Sequence, residues 1–171
     1  MKTNELIFQL NNKRDSHQLH FEGEKNVKMQ LFGSLFEKLG WDITNPYQCV
    51  FEFLRIGGKA VNGVLFDRHD KPILLFETKG IKENIDKHIE QTKKFFSVEN
   101  SIKVAVLSNM VDMYFFSDFE TTGVMDDIPF YRIHFPSYTD QDIDFLEQFR
   151  REYFLDHFQE IYAKWKEQYA H

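Results

Sequence analysis

Apolar and polar positions recur along this chain in an order that predicts most of its elements. Val27, Leu31, Leu35 and Leu39 return at helical spacing and Gly40 follows as a stop, so residues 24–39 are predicted to form a helix. Glu24 extends that stripe by three residues toward the N-terminus and should face the core side. Residues 1–22 are polar and weakly periodic, which predicts an irregular arm or a short helix. Residues 41–46 are rich in turn formers, residues 49–56 read as a strand, and Gly57-Gly58 reads as a tight turn. Two apolar runs then flank Arg68-His-Asp-Lys71, namely Ala60-Val-Asn-Gly-Val-Leu-Phe-Asp67 and Pro72-Ile-Leu-Leu-Phe-Glu-Thr-Lys79. They predict a β-hairpin with a loop of about four residues. If Asp67 faces Pro72, Asn62 faces Glu77. Opposed side chains share a face with Cβ atoms about 5 Å apart. Lys79, two residues beyond Glu77, falls on the same face.

Downstream, Ile81, Ile85, Ile89, Thr92 and Phe96 form a stripe that predicts a helix over residues 81–96. Residues 102–107 and 113–116 read as strands, 117–127 as a loop and 130–135 as an edge strand. Residues 140–169 read as helical, in two pieces that meet near Leu155. This order describes an α/β domain with a mixed sheet of about four or five strands flanked by helices. Residues 1–171 are expected to make one domain, with a polar arm over 1–22 and a C-terminal helical extension over 140–171.

Composition changes this picture little. The chain is 42% hydrophobic and 28% charged, as in ordinary globular proteins. Nineteen Phe imply a core filled by large rings or an apolar surface offered to a partner. The single Cys49 excludes an internal disulfide framework and fits a reducing cytoplasm, where it reads as a small buried apolar residue. No start resembles a signal peptide, and no apolar run is long enough to span a bilayer, so a cytoplasmic location is expected. A net charge of −6 argues against an all-round basic nucleic-acid binder but leaves room for a local basic lane. There is no Gly-x-x-x-x-Gly-Lys-Ser/Thr loop, hence no ATP-driven motor in this sequence. His17 and His20 in a polar arm do not by themselves make a zinc site.

The polar corner of the hairpin is the chemical feature. An amide at Asn62, a carboxylate at Glu77 and an amine at Lys79 would meet at one end of an apolar element. Charged residues are unusual in a strand that is apolar on both faces, as residues 73–76 are. Read alone, Glu77 and Lys79 could still be an exposed cross-strand pair, Glu24 an acid favoured by a helix N-terminus, and Gln91 a surface residue.

The hairpin followed by Glu77-Thr-Lys79 resembles the PD-(D/E)XK nuclease core. Five segments narrow the resemblance: Leu39-Gly-Trp-Asp42, Phe53-Leu-Arg-Ile-Gly-Gly58, Leu75-Phe-Glu-Thr-Lys79, His88-Ile-Glu-Gln91 and Val106-Leu-Ser-Asn109. Their order is similar to the N-terminal nuclease domain of type I restriction enzyme R subunits and to its small stand-alone relatives. The run Met125-Asp-Asp-Ile-Pro-Phe130 is similar to the latter. The resemblance covers about residues 22–155. It implies a restriction-endonuclease-like fold and a Mg²⁺-dependent DNA endonuclease of restriction-modification or defence type, with Mn²⁺ able to replace Mg²⁺. Glu24 would be the family's helix acid. Glu77, the backbone carbonyl of Thr78 and the residue at position 62 would hold metal, and Lys79 would position water. Gln91 would lie near the site and the DNA, in a Gln-x-x-x-Tyr motif that has Phe95 here.

This sequence departs from the pattern at Asn62, where the family carries its metal-binding Asp. An amide oxygen can ligate Mg²⁺ but brings no charge. Asn62 is either the natural residue or an inactivating replacement, and the sequence leaves both open. Asp67 and Asp70 lie at the far end of the hairpin in the register above. Lys82, Lys87, Lys93 and Lys94 are either the solvated face of a helix or a lane that tracks the phosphates of double-stranded DNA. The C-terminal aromatics Phe149, Tyr153, Phe154, Phe158, Tyr162, Trp165 and Tyr169 exceed one helix stripe. They could pack the core, make a homodimer, or dock a missing motor or partner subunit. The second functional class is a catalytically dead nuclease-fold module that binds nucleic acid or a protein partner.

Overall fold

The computed structural model describes residues 1–53, 55–61 and 63–170. Its spine is a six-stranded mixed sheet in the order β1-β4-β5-β6-β7-β8. These strands are β1 (Cys49–Phe51), β4 (Gly63–Phe66), β5 (Pro72–Thr78), β6 (Val104–Ser108), β7 (Asp112–Phe116) and β8 (Tyr131–His134). A separate two-stranded ribbon pairs β2 (Arg55–Ile56) with β3 (Lys59–Ala60). The main sheet therefore has six strands rather than four or five. The predicted strand over 49–56 ends early because Glu52 takes a left-handed φ of 54°, and the chain then starts the ribbon. Gly57 and Gly58, at φ 57° and 80°, make the turn that pairs Ile56 with Lys59.

Among the described strands, only β5 and β6 run parallel. A parallel pair needs a crossover, and the segment carrying α4 (Ile89–Phe96) supplies it. Alternation along the strands divides the core in two. Leu74, Phe76, Val104, Val106, Met113 and Phe115 face one cluster with α1 (Thr3–Ser16), α2 (Glu24–Val27), α3 (Gly33–Lys38), α5 (Asp140–Glu147) and α6 (Arg151–Tyr169). Leu75, Ala105, Leu107 and Phe116 face the other, with Ile85, Phe95 and Phe96 from the crossover. The sheet is thus covered by helices on both faces. No helix among the described residues is long and apolar enough to cross a membrane.

α2 and α3 are joined through a π-helical turn, Lys28–Phe32. Its cause is in the apolar spacing. Val27, Leu31, Leu35 and Leu39 are four residues apart and fully buried. In an α-helix each residue advances about 100°, so three such steps would rotate the stripe about 120° off the core. One wide turn absorbs about one residue and holds the stripe in place. Gly40, at φ 91°, then ends the helix as expected.

Three sequence expectations need correction. The polar arm over 1–22 contains a 14-residue helix docked on the core through Thr3, Ile7, Leu10 and Arg14. The helix expected from Ile81 starts at Ile89, preceded by a 3₁₀ turn over Ile85–His88 that Asn84 caps through the Asp86 N–H. The C-terminal helical segment has a first break at residues 148–150 that was not expected. There the Phe149 carbonyl accepts from Trp41 Nε1 at 2.9 Å and the Arg151 N–H donates to the Leu39 carbonyl at 2.8 Å. A second break, the kink at His157 where two helices join, falls two residues from the expected junction near Leu155. Core packing claims most of the C-terminal rings, and Tyr153 is the exposed one of the seven.

Candidate functional site

β5 is buried at all seven positions, and it lies between β4 and β6. That removes the reading of Glu77 as a solvated edge residue. Its exposure is 4%, in the middle of an apolar sheet. Burying an isolated carboxylate costs several kcal/mol, so a buried Glu calls for compensating partners.

The hairpin register next to the site is the expected one: Gly63 faces Phe76, Val64 faces Leu75 and Leu65 faces Leu74. The register then slips by one residue between Leu65 and Phe66, so that Phe66, not Asp67, faces Pro72. The slip is a bulge at the turn end. It coincides with Pro72, which has no N–H to give the ladder. Asp67 closes the loop, its Oδ1 accepting from the His69 and Lys71 amides at 2.8 and 3.0 Å. Asn62 lies outside the described residues. Its neighbour Gly63 is tightly constrained, because a Cβ there would stand 2.3 Å from the Phe76 ring. That ring stacks on Phe32 and fills the space a side chain would take.

At the other end of β5, Lys79 carries the strand's last ladder bond, its N–H donating to the Ser108 carbonyl at 2.9 Å. Its side chain reaches two carboxylates. Nζ lies 3.4 Å from Glu24 Oε2 and 3.8 Å from Glu77 Oε2. The first contact is within hydrogen-bond reach and the second is an ion pair at longer range. Glu24, at the first residue of α2, is half exposed, whereas Lys79 is mostly buried. The backbone sets this meeting. The Ile81 N–H donates to the Phe21 carbonyl at 3.0 Å, tying the exit of β5 to the turn before α2. Sequence reasoning brought Glu24, Glu77 and Lys79 together, and the structure does the same.

Gln91 stands on α4. It lines an open cleft of about 510 Å³ between α4 and the β2–β3 ribbon, with Gly57, Lys59, Lys87, His88, Glu90, Lys94 and Phe95. The four lysines of the predicted lane divide. Lys82 pairs with Glu22 at 2.6 Å and Lys93 pairs with Asp127, whose hydrogen bond raises the Lys93 pKa. Lys87 and Lys94 line the cleft, joined by Lys59, which the sequence reading passed over. The available signal for Lys59 was its place directly after the Gly57-Gly58 turn. Thr78 is fully buried and paired with Ser108 in the parallel ladder. Among the described residues, no group of three or more His, Cys, Asp or Glu side chains could hold a metal ion.

No family model matches this chain, and no curated protein matches it. Among solved structures it is similar to a chain of the DrdV–DNA complex determined by cryoEM, with a TM-score of 0.53. Identity over the match is 14%, covering 86% of this chain and 14% of that one. At such identity the likeness is one of fold. This chain spans about one seventh of the length of that protein.

Proposed function

We propose that this chain is a nuclease-fold domain of restriction-endonuclease type that acts on double-stranded DNA through the corner formed by Glu77, Lys79 and Glu24. The observation that carries the reading is Glu77, a carboxylate buried in a central strand with the Lys79 ammonium 3.8 Å away. Such a pair is a poor device for stability, since replacing it by apolar residues is often neutral or better. It is a good device for chemistry that needs a fixed charge and a fixed donor at one point.

Mg²⁺ usually keeps several waters and takes one or two carboxylates. Glu77, the Thr78 carbonyl and the Asn62 amide oxygen meet that requirement at its lower limit, with one charge where the nuclease pattern has two. A bound Mg²⁺ would supply an activated water and neutralise the transferring phosphate. Lys79 donates to the attacking water or to a phosphate oxygen. Glu24 is a positioning residue: it holds the Lys79 side chain from the solvent side while Glu77 holds it from within. Asn62 leaves the site short of one negative charge, so the chain as it stands is expected to bind metal weakly and cut slowly.

Titration calorimetry tests the donor set directly. Asn62→Asp should bind Mn²⁺ and Mg²⁺ more tightly than the unaltered chain, and Glu77→Ala should remove the binding in both backgrounds. Equal metal affinity in all four proteins would contradict the reading.

A further inference from the structure

We propose that Lys59, Lys87 and Lys94 form a clamp for consecutive phosphates of duplex DNA, across the cleft between the β2–β3 ribbon and α4. This rests on the reading of the neighbouring corner as a DNA-cleaving site and names the surface that would deliver the DNA to it.

Three observations point to this surface. The first is how the helix lysines are used. Lys82 and Lys93 are spent on Glu22 and Asp127, while Lys59, Lys87 and Lys94 form no ion pair among the described residues. All three are exposed, and among the described residues Glu90 is the one carboxylate lining the cleft with them. His88, also on the wall, is turned to Glu83 at 3.4 Å.

The second is spacing. Lys87 lies in the 3₁₀ turn that leads into α4, Gln91 and Lys94 stand three apart on one face of α4, and all three line the same cleft. Gln91 sits between the two charges with an amide able to donate to a phosphate or a base edge.

The third is connectivity. One wall, Gly57 to Lys59, leads within four residues to Gly63, which faces Phe76 beside Glu77. The other wall follows Lys79 by eight residues at Lys87. Both walls are thus the flanks of the same hairpin end that carries the buried carboxylate. The Gly57-Gly58 turn projects no side chains and would let a phosphate backbone approach closely.

The test is the salt dependence of binding to a labelled duplex, measured in EDTA so that cleavage plays no part. Each phosphate contact contributes about 0.9 to the slope of log K against log salt. Lys59→Ala, Lys87→Ala and Lys94→Ala combined should therefore flatten the slope by about 2.7. Lys82→Ala with Lys93→Ala should leave it unchanged. Lys→Gln replacements at the same three positions should reproduce the loss, which separates charge from packing. A slope unchanged in the triple variant, or lost instead in the Lys82/Lys93 pair, overturns the clamp, as does an unaltered chain that fails to bind duplex at low salt. Its failure is distinguishable from failure of the catalytic reading. Metal-dependent cleavage by Asn62→Asp with an unaffected slope sinks the clamp alone, and a flattened slope without any cleavage sinks the catalytic reading alone.

Discussion

Gly80 lies against the backbone of Glu22, so close that a Cβ would stand 1.9 Å from the Glu22 carbonyl oxygen. This contact joins the exit of β5 to the turn that precedes α2. It fixes where Lys79, one residue before Gly80, meets Glu24, two residues beyond Glu22. The clash would be with main chain, which has no rotamer to escape into.

Gly80→Ala should therefore destabilise the protein by about 2–3 kcal/mol, at the upper end of overpacking effects. The urea midpoint should fall with an unchanged m-value. The variant should also lose metal-dependent activity in the Asn62→Asp background, because the Lys79–Glu24 contact opens with the join. A change in stability below about 0.5 kcal/mol, the usual range of a surface substitution, would contradict the tight approach.

Cys49 is buried, and that burial pushes its thiol pKa up to about 12, with the Lys28 charge opposing weakly. At pH 8 the native thiol should stay neutral and unreactive. A disulfide exchange reagent should titrate one thiol only after denaturant is added. Prompt reaction of the folded protein would show that β1 opens freely.

Stability should fall on the alkaline side. Burial raises the pKa of Tyr114, Tyr131 and Tyr162, each helped by a hydrogen-bonded carboxylate from Asp86, Asp142 and Asp118 respectively. Tyr114 is pushed up to about 12. In the unfolded chain these phenols ionise near pH 10. Their contribution is therefore intact below about pH 10 and is lost as pH rises from there through 12, because the unfolded state releases its protons first. Urea midpoints measured from pH 8 upward should be flat and then drop above about 10. A flat profile through pH 12 would contradict the burial of these rings.

The hairpin and the site corner were legible because their signal is local. Two apolar runs of matched length fix a register, and a charge at the end of an apolar strand stands out. The bulge beside Pro72 was not legible, since a one-residue slip leaves the same alternation on either side. Helix α1, expected as an irregular arm or a short helix, was underestimated for a different reason. Its buried positions Thr3, Ile7, Leu10 and Arg14 follow helical spacing, but two of the four are polar. Arg14 is only 3% exposed, and it is buried because its guanidinium donates to the Met110 carbonyl at 2.7 Å across the fold. No apolar pattern announces a contact made between residues 96 positions apart. The 3₁₀ turn before α4 carried a readable cap in Asn84, overridden by the Ile81–Ile85–Ile89 stripe. The division of the lysines between ion pairs and the open cleft depends on Glu22 and Asp127, neither on the lysines' own element, and so needed the structure.

The most direct test of a nuclease corner short of one carboxylate is plasmid cleavage by Asn62→Asp. Asp adds a charged oxygen ligand at nearly constant volume, so the fold should tolerate it. The account predicts that Asn62→Asp relaxes supercoiled plasmid in Mg²⁺ or Mn²⁺ and not in EDTA, and that Glu77→Ala in the same background abolishes the activity. An Asn62→Asp protein that folds, yet leaves the plasmid intact through long incubation with either metal, would contradict it.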